Sequence, residues 1–319
     1  MKKIAVLTSG GDAPGMNAAL RAVTRSALWH GASVVGVEQG YEGLIDGRFV
    51  ALDARSVGSI IHRGGTMLRT ARSERFRTAQ GRAQALEALK REAVDGLVVI
   101  GGDGSFRGAH ALCEAGFPTI GVPATIDNDL YGTDMTIGCD TALNTALDAV
   151  RRLRDTASSH DRLFIVEVMG RDSGYIALHT AIAGGAEIAV VPERPLLPSA
   201  ICDQLKESRR RGKSYSLVVV AEGAMSGHAL ADALSDCGAF EARVTVLGYI
   251  QRGGSPSAYD AALATQLGSH AVDLLFEGKR DLMAGLVAGK LIDTPLPETW
   301  QKQKELKVEL LDLVSRMGI

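Results

Sequence analysis

Short apolar, β-branched runs that end in glycine turns alternate along the chain with amphipathic stretches. Residues 4–7, 33–37, 97–100 and 119–122 read as strands, and so do 163–168, 188–191, 217–220 and 244–250. Their near-continuous apolarity is that of strands covered on both faces, which predicts parallel sheets between helical layers. Among the intervening stretches, 16–29 puts Met16, Leu20, Val23 and Ala27 on one helical stripe and Arg21 and Arg25 on another. The stretch 140–156 turns Leu143, Leu147, Val150 and Leu153 inward, and 260–276 and 300–317 also read as helices. No low-complexity linker or internal repeat interrupts the alternation. A length of 319 residues exceeds one simple core. The expectation is an α/β protein of two lobes in tight contact that exchange segments of chain.

Composition narrows the class. Hydrophobic residues make up 46% and charged residues 23%, which suits a compact soluble protein and excludes a largely disordered one. The net charge of −2 gives no global pull toward nucleic acid or membrane, so any anion site must be local. No apolar run approaches the roughly 20 residues of a membrane helix. Met1-Lys2-Lys3 leads at once into the first strand and leaves no room for a signal peptide, so a cytoplasmic protein is expected. Cys113, Cys139, Cys202 and Cys237 form no CxxC pair and read as thiols in a reducing compartment rather than disulfides or zinc ligands. The seven histidines show no HExxH spacing. Phosphate recognition therefore falls to arginine and backbone.

In open α/β sheets, chemistry sits in the loops at the carboxyl ends of strands. The first strand empties into Thr8-Ser9-Gly10-Gly11-Asp12-Ala13-Pro14-Gly15-Met16-Asn17 and then a helix. Glycines there let backbone N–H groups approach a phosphate, and the helix N-terminus adds a favourable dipole. The run Gly101-Gly102-Asp103-Gly104-Ser105 is neither a Walker A loop nor a GxGxxG fingerprint; its carboxylate between glycines reads as a phosphoryl-donor site with Asp103 directed at Mg²⁺. Pro123-Ala124-Thr125-Ile126-Asp127-Asn128-Asp129 adds two carboxylates that serve either as a general base beside the acceptor or as caps of a turn and a helix. Arg69, Arg72, Arg75, Arg77 and Arg82 crowd one segment, and Arg162, Arg171, Arg243 and Arg252 stand near strand ends. The planar guanidinium fork matches phosphate oxygens, so the set points to more than one phosphorylated group.

TSGGDAPGMNAA (8–19), GGDGS (101–105), TIDND (125–129), MGR (169–171), AEG (221–223) and QRGGSP (251–256) resemble, in order and spacing, the bacterial-type ATP-dependent 6-phosphofructokinases. The resemblance runs to about residue 276. It implies two Rossmann-like three-layer lobes with the chain crossing between them: an ATP lobe from 1–138 and 251–301, and a sugar-phosphate lobe from 139–250 and 302–319. It also implies ATP against Gly11, Arg72, Ser73, Gly102, Asp103, Gly104 and Ser105, with Asp103 serving Mg²⁺. Asp127 would take the proton of the sugar 1-hydroxyl while Thr125, Arg171 and Arg72 stabilise the transferring phosphoryl group. Ile126, Met169, Gly170, Glu222, Tyr249, Ile250 and Gln251 would line the fructose 6-phosphate pocket. Arg252, with Arg162 and Arg243 from a neighbouring subunit, would meet the 6-phosphate, which implies a homotetramer. An inter-subunit effector pocket for ADP or phosphoenolpyruvate would use Arg21, Arg25, Ser59, Arg154, Gly185, Glu187, Arg211 and Lys213.

Four positions depart from the family pattern. Tyr249 replaces a common histidine and Ala124 a glycine, which bears on affinity. Asp161 replaces a glutamate and Ser59 an aspartate, which bears on regulation. Two rival functions share the fold: a pyrophosphate-dependent phosphofructokinase and a non-catalytic sugar-phosphate sensor. The pyrophosphate branch typically carries aspartate in place of Gly104 and lysine in place of Ala124, so ATP is favoured. Asp103, Asp127 and Arg171 are all present, against a non-catalytic protein.

Overall fold

The computed structural model describes residues 1–157, 159, 162–238 and 241–318; Asp161 lies outside them. The chain divides into two compact units, Met1–Thr141 with Arg252–Lys304, and Ala142–Gln251 with Glu305–Ile319, so it passes between units three times. Both are α/β.

The first unit holds strands β1 (Lys3–Thr8), β2 (Ser33–Val37), β3 (Phe49–Leu52), β4 (Gly96–Gly101) and β5 (Thr119–Pro123). The second holds β6 (Arg162–Val168), β7 (Ile188–Val190), β8 (Ser216–Ala221) and β9 (Glu241–Val246), and β10 (Leu282–Val287) and β11 (Lys290–Pro295) return to the first. Seven strands form the first sheet in the order β11-β10-β5-β4-β1-β2-β3. Its members pair in parallel except at the two edges, where β3 and β11 run antiparallel. The second sheet, β7-β8-β6-β9, is parallel throughout. Every residue of β4, β5 and β8 is buried, as expected of strands covered on both faces. In the first unit Leu7, Val99, Phe106 and Leu112 share one core with Leu44 and Leu89. The second unit has its own core around Ile165, Val218 and Val220.

Three expectations are corrected. The strand expected over 244–250 ends at Val246, and Gly248–Arg252 is a 3₁₀ turn entered through Gly248 at φ +52°, a conformation that suits glycine and bends the chain out of the sheet. The helix expected over 300–317 is two short pieces, Glu298–Gln301 and Leu310–Met317. Lys302 is extended between them, and the Lys304 ammonium turns inward to polar atoms of the first unit, contacts no helical periodicity discloses. Finally, Cys202 and Cys237 form a disulfide, with Cα atoms 5.6 Å apart, while Cys113 and Cys139 are free thiols. Both bonded cysteines pack at the margin of the second core, brought together by the fold across 35 residues that carry no pairing signal.

Candidate active site

In the first unit, β1, β4 and β5 are adjacent and parallel, so the loops that leave their carboxyl ends converge. The approach is close enough to dictate residue type. A methyl group at Gly101 would lie 2.5 Å from both Ser105 Oγ and the Ser9 carbonyl, so only glycine fits. One at Gly102 would lie 3.5 Å from Thr125 Cβ, and one at Gly11 only 2.6 Å from Arg252 Nη1. The structure thus brings together Gly11, Gly102–Ser105, Thr125 and Arg252. Gly102 caps the helix Asp103–Glu114, whose first-turn N–H groups and dipole favour an anion there. Ser105 Oγ is buried without a hydrogen-bond partner. Asp103 opens the helix and its Oδ1 accepts from Arg107 Nε at 2.9 Å.

The segment carrying Arg72 is tied to the first loop, because Thr70 Oγ1 donates to the Gly10 carbonyl at 2.8 Å. Arg72 is exposed. Ser73 Oγ instead donates to Glu42 Oε2 at 2.5 Å, and Arg75 reaches the same carboxylate at 2.6 Å. These two hydrogen bonds hold Glu42 below the usual glutamate range.

After β5 the chain turns through Thr125-Ile126-Asp127. Asp127 is 5% exposed, and its N–H donates to Thr125 Oγ1 at 3.2 Å. Asn128 follows at φ +51°, left-handed and held from several sides: Oδ1 accepts from Thr136 N at 3.0 Å, and Nδ2 donates to the Asp134 carbonyl at 3.2 Å. Thr136 Oγ1 closes the loop on the Thr125 carbonyl at 2.6 Å.

The second unit gathers another set. β6 ends in Met169-Gly170-Arg171, with Gly170 at φ +146° and Arg171 at φ +54°. The N–H groups of Gly170 and Arg171 both donate to Glu222 Oε1, at 3.2 and 2.9 Å, and Met169 N donates to Gln251 Oε1 at 2.8 Å. Glu222 and Gln251 therefore shape the turn that presents Arg171. Arg162 on β6 and Arg243 on the neighbouring β9 both pair with Glu241, the former at 3.5 Å. Tyr249 and Ile250 are 79% and 61% exposed on the 3₁₀ turn.

The phosphofructokinase family profile matches residues 3–275. The chain belongs to the phosphofructokinase family. The ATP-dependent 6-phosphofructokinase of Listeria welshimeri is 52% identical over 319 residues, spanning 100% of both chains. That of Halalkalibacterium halodurans is 51% identical with the same full coverage. Among solved structures, the phosphofructokinase from Saccharomyces cerevisiae matches 100% of this chain at 37% identity with a TM-score of 0.88. The match covers 48% of the yeast chain, so this chain spans about half its length.

The remaining positions that the phosphofructokinase resemblance singles out fall in both units. In the first, Arg21 is half-buried with Nε unpartnered, Arg25 Nη2 reaches the Ala54 carbonyl at 3.4 Å, and Ser59 is exposed. In the second, Arg154 donates to the carbonyls of Gly184 and Gly185, the latter at 2.6 Å. Glu187 accepts from Lys213 Nζ at 2.9 Å and from Leu217 N at 2.5 Å, so its carboxylate is engaged within the protein. Arg211 pairs with Glu207 at 3.0 Å. Among the described residues no group of three or more His, Cys, Asp or Glu is placed to hold a metal, and no helix is long and apolar enough to cross a membrane.

Sequence reasoning missed Glu42, Arg107 and the Asn128 clamp. Arg107 was legible, since Asp103 and Arg107 stand four apart on one helix. Glu42 reaches Ser73 across 31 residues, with no local signal.

Proposed function

We propose that this chain transfers the γ-phosphate of ATP to the 1-hydroxyl of fructose 6-phosphate, giving fructose 1,6-bisphosphate. It is an ATP-dependent 6-phosphofructokinase acting in glycolysis. The observation that carries this reading is end-to-end identity of 52% with relatives bearing that name. The convergent loops of the first unit support it independently, because phosphoryl transfer needs positioning and charge neutralisation more than covalent chemistry.

Backbone N–H groups at Gly11 and Gly102–Ser105 cradle the polyphosphate, and Arg72 and Ser73 complete the ATP site. Asp103 suits Mg²⁺: it is a half-exposed carboxylate at a helix N-terminus beside the phosphate cradle. Mg²⁺ commonly takes one or two carboxylates together with substrate phosphates and water, so a single protein ligand fits. When bound, it neutralises charge on the phosphate oxygens. Asp127, held by the Asn128 clamp, accepts the proton of the 1-hydroxyl. Thr125 and Arg171 hold the moving phosphoryl group, and Ile126, Met169, Gly170, Glu222, Tyr249, Ile250 and Gln251 line the sugar pocket. Arg252, with Arg162 and Arg243 of an adjacent subunit, binds the 6-phosphate in a homotetramer. ADP or phosphoenolpyruvate binds at Arg21, Arg25, Ser59, Arg154, Gly185, Glu187, Arg211 and Lys213. The protein works in the cytoplasm.

A coupled assay on fructose 6-phosphate tests the reaction, with ATP or pyrophosphate as donor and with Mg²⁺ present or chelated. Turnover is expected with ATP and Mg²⁺ together. Turnover with pyrophosphate, or none with either donor, would overturn the assignment.

A further inference from the structure

Lys304 has no part in the chemistry above, yet it is partly buried. Its Nζ donates to Asn128 Oδ1 at 2.7 Å and to the Asp134 carbonyl at 2.8 Å. A lysine that merely covers apolar surface keeps its ammonium in water and buries only its stem. Here the ammonium is turned inward, and it reaches the same two residues that the Asn128 Nδ2 bond already links, sharing Asn128 Oδ1 with Thr136 N. Asn128 lies between Asp127 and Asp129 in a left-handed conformation, which asparagine adopts more readily than other non-glycine residues. Its amide oxygen is the point at which Lys304, Thr136 and, through the Thr136 hydroxyl, the Thr125 carbonyl are joined. Lys304 is also the last residue of the first unit before the chain passes to the second.

We infer that Lys304 is a positioning residue for Asp127: its ammonium anchors Asn128, and through Asn128 the left-handed turn that fixes where the Asp127 carboxylate lies. The inference rests on the reading of Asp127 as the general base. Removing the ammonium leaves both substrates' contacts in place but loosens the turn. The loss therefore appears in kcat rather than KM, since a misplacement of about 1 Å costs roughly 100-fold.

A pH signature accompanies this role. Burial lowers Lys304 to about 8, opposed by the attraction of the Asp134 and Asp129 carboxylates in the loop after β5; Cys139 faces it from the start of the next helix. Cys139 is itself buried, which raises its thiol well above the ordinary value, so it stays neutral where Lys304 titrates. A neutral amine still has N–H donors but loses the charge that strengthens them. Wild-type kcat should decline on the alkaline side with an apparent pKa near 8.

The test measures kcat, both KM values and the pH profile of the full-length enzyme and of Lys304→Met, Lys304→Gln and Asn128→Gly, with Asp127→Ser as reference. Lys304→Met should lower kcat about 10- to 100-fold, with both KM values within about threefold, and should lack the alkaline decline. Lys304→Gln should recover part of the loss, because its amide can donate to one acceptor. Should Lys304→Met fail to fold, Asn128→Gly carries the test: glycine accepts the positive φ while the anchor point is gone, so a similar fall in kcat is expected. Wild-type kcat in the folded Lys304 variant and in Asn128→Gly would overturn the inference, as would a loss confined to KM or an alkaline decline unchanged in Lys304→Met. Full turnover by Asp127→Ser would instead remove the base, and the inference with it.

Discussion

Two neighbouring glycines illustrate how residue type and role separate. Gly101 is demanded by the protein, since any side chain there collides with Ser105 and the Ser9 carbonyl. Gly104 is not: an added Cβ would meet nothing within 4 Å, and its backbone is ordinary helix. The fold leaves the residue type at 104 open, and the proposed ATP site gives the reason for glycine there. Gly104→Asp is expected to fold with a Tm at or slightly above wild type, because aspartate is favoured over glycine in a first helical turn. It should nonetheless lose ATP-dependent kcat/KM by about 100-fold or more, through charge and volume set against the nucleotide phosphates. Unchanged ATP kinetics in a folded Gly104→Asp would remove this reason for ATP as donor. Asp127→Ser should bind both substrates and lose kcat by ~10²–10⁴-fold, the usual contribution of a positioned base; near-normal turnover would exclude it from the mechanism. Asp103, Thr125 and Asp127 were legible in the sequence because each lies in a compact motif beside a strand end. Lys304 was not: it reaches Asn128 across 176 residues, and one lysine in a polar run looks like any other.

At the scale of elements, most strands buried on both faces were legible, while β3, β10 and β11 of the first sheet were not. Strands buried on both faces read as apolar runs, as β1, β4, β5, β6 and β8 do. The edge strands β3 and β11 are largely or partly exposed; mixed polarity hides β11, whereas β3 is apolar but only four residues long. Helix termini depend still more on distant partners. Asp260, fully buried in the first turn of the helix Ala258–Phe276, accepts from Gly138 N at 2.9 Å, Thr141 N at 2.7 Å and Thr141 Oγ1 at 2.6 Å. It thereby fastens the start of the helix Cys139–Ala157, along which the chain first leaves one unit for the other. Asp260→Ala would leave buried donors unpaired, at a cost of about 2–4 kcal/mol, visible as a lower Tm. Burial raises the Asp260 carboxyl, partly offset by its hydrogen bonds to Thr141 and Gly138. A folded value above the unfolded one means the native state binds the extra proton, so this contribution grows as pH falls and is lost as pH rises through the folded value. The Tm gap between wild type and Asp260→Ala should accordingly widen as pH drops toward 3.8, the ordinary aspartate value. A gap that narrows in acid would show that the carboxyl is not raised.

At the scale of the whole molecule, the order and spacing of the motifs announced the family, whereas shared sites between copies of the chain leave no such mark. Glu241 is the relevant detail. It pairs within the chain with both Arg162 and Arg243, the arginines proposed to bind the 6-phosphate of an adjacent subunit's substrate. All three side chains are substantially exposed, and exposed pairs of this kind are worth ~0–1 kcal/mol. At the proposed site a phosphate dianion would therefore compete with Glu241 easily, and the pairing would keep both cations pre-oriented for it. Arg243→Ser removes charge-assisted bonds worth ~1.5–3 kcal/mol, so KM for fructose 6-phosphate should rise roughly 10- to 150-fold while KM for ATP stays near wild type. If Arg243 serves a neighbour's site, Asp127→Ser and Arg243→Ser carry their defects on opposite sides of each shared site. Assembled together from unfolded chains in equal amounts, they should form mixed tetramers in which about a quarter of the sites have both residues intact. Activity at sub-saturating fructose 6-phosphate should then exceed the average of the separately assembled variants. Strictly averaged activity, with mixed tetramers verified by ion exchange of a charge-tagged partner, would place Asp127 and Arg243 in the same chain's site and remove the argument for a shared one.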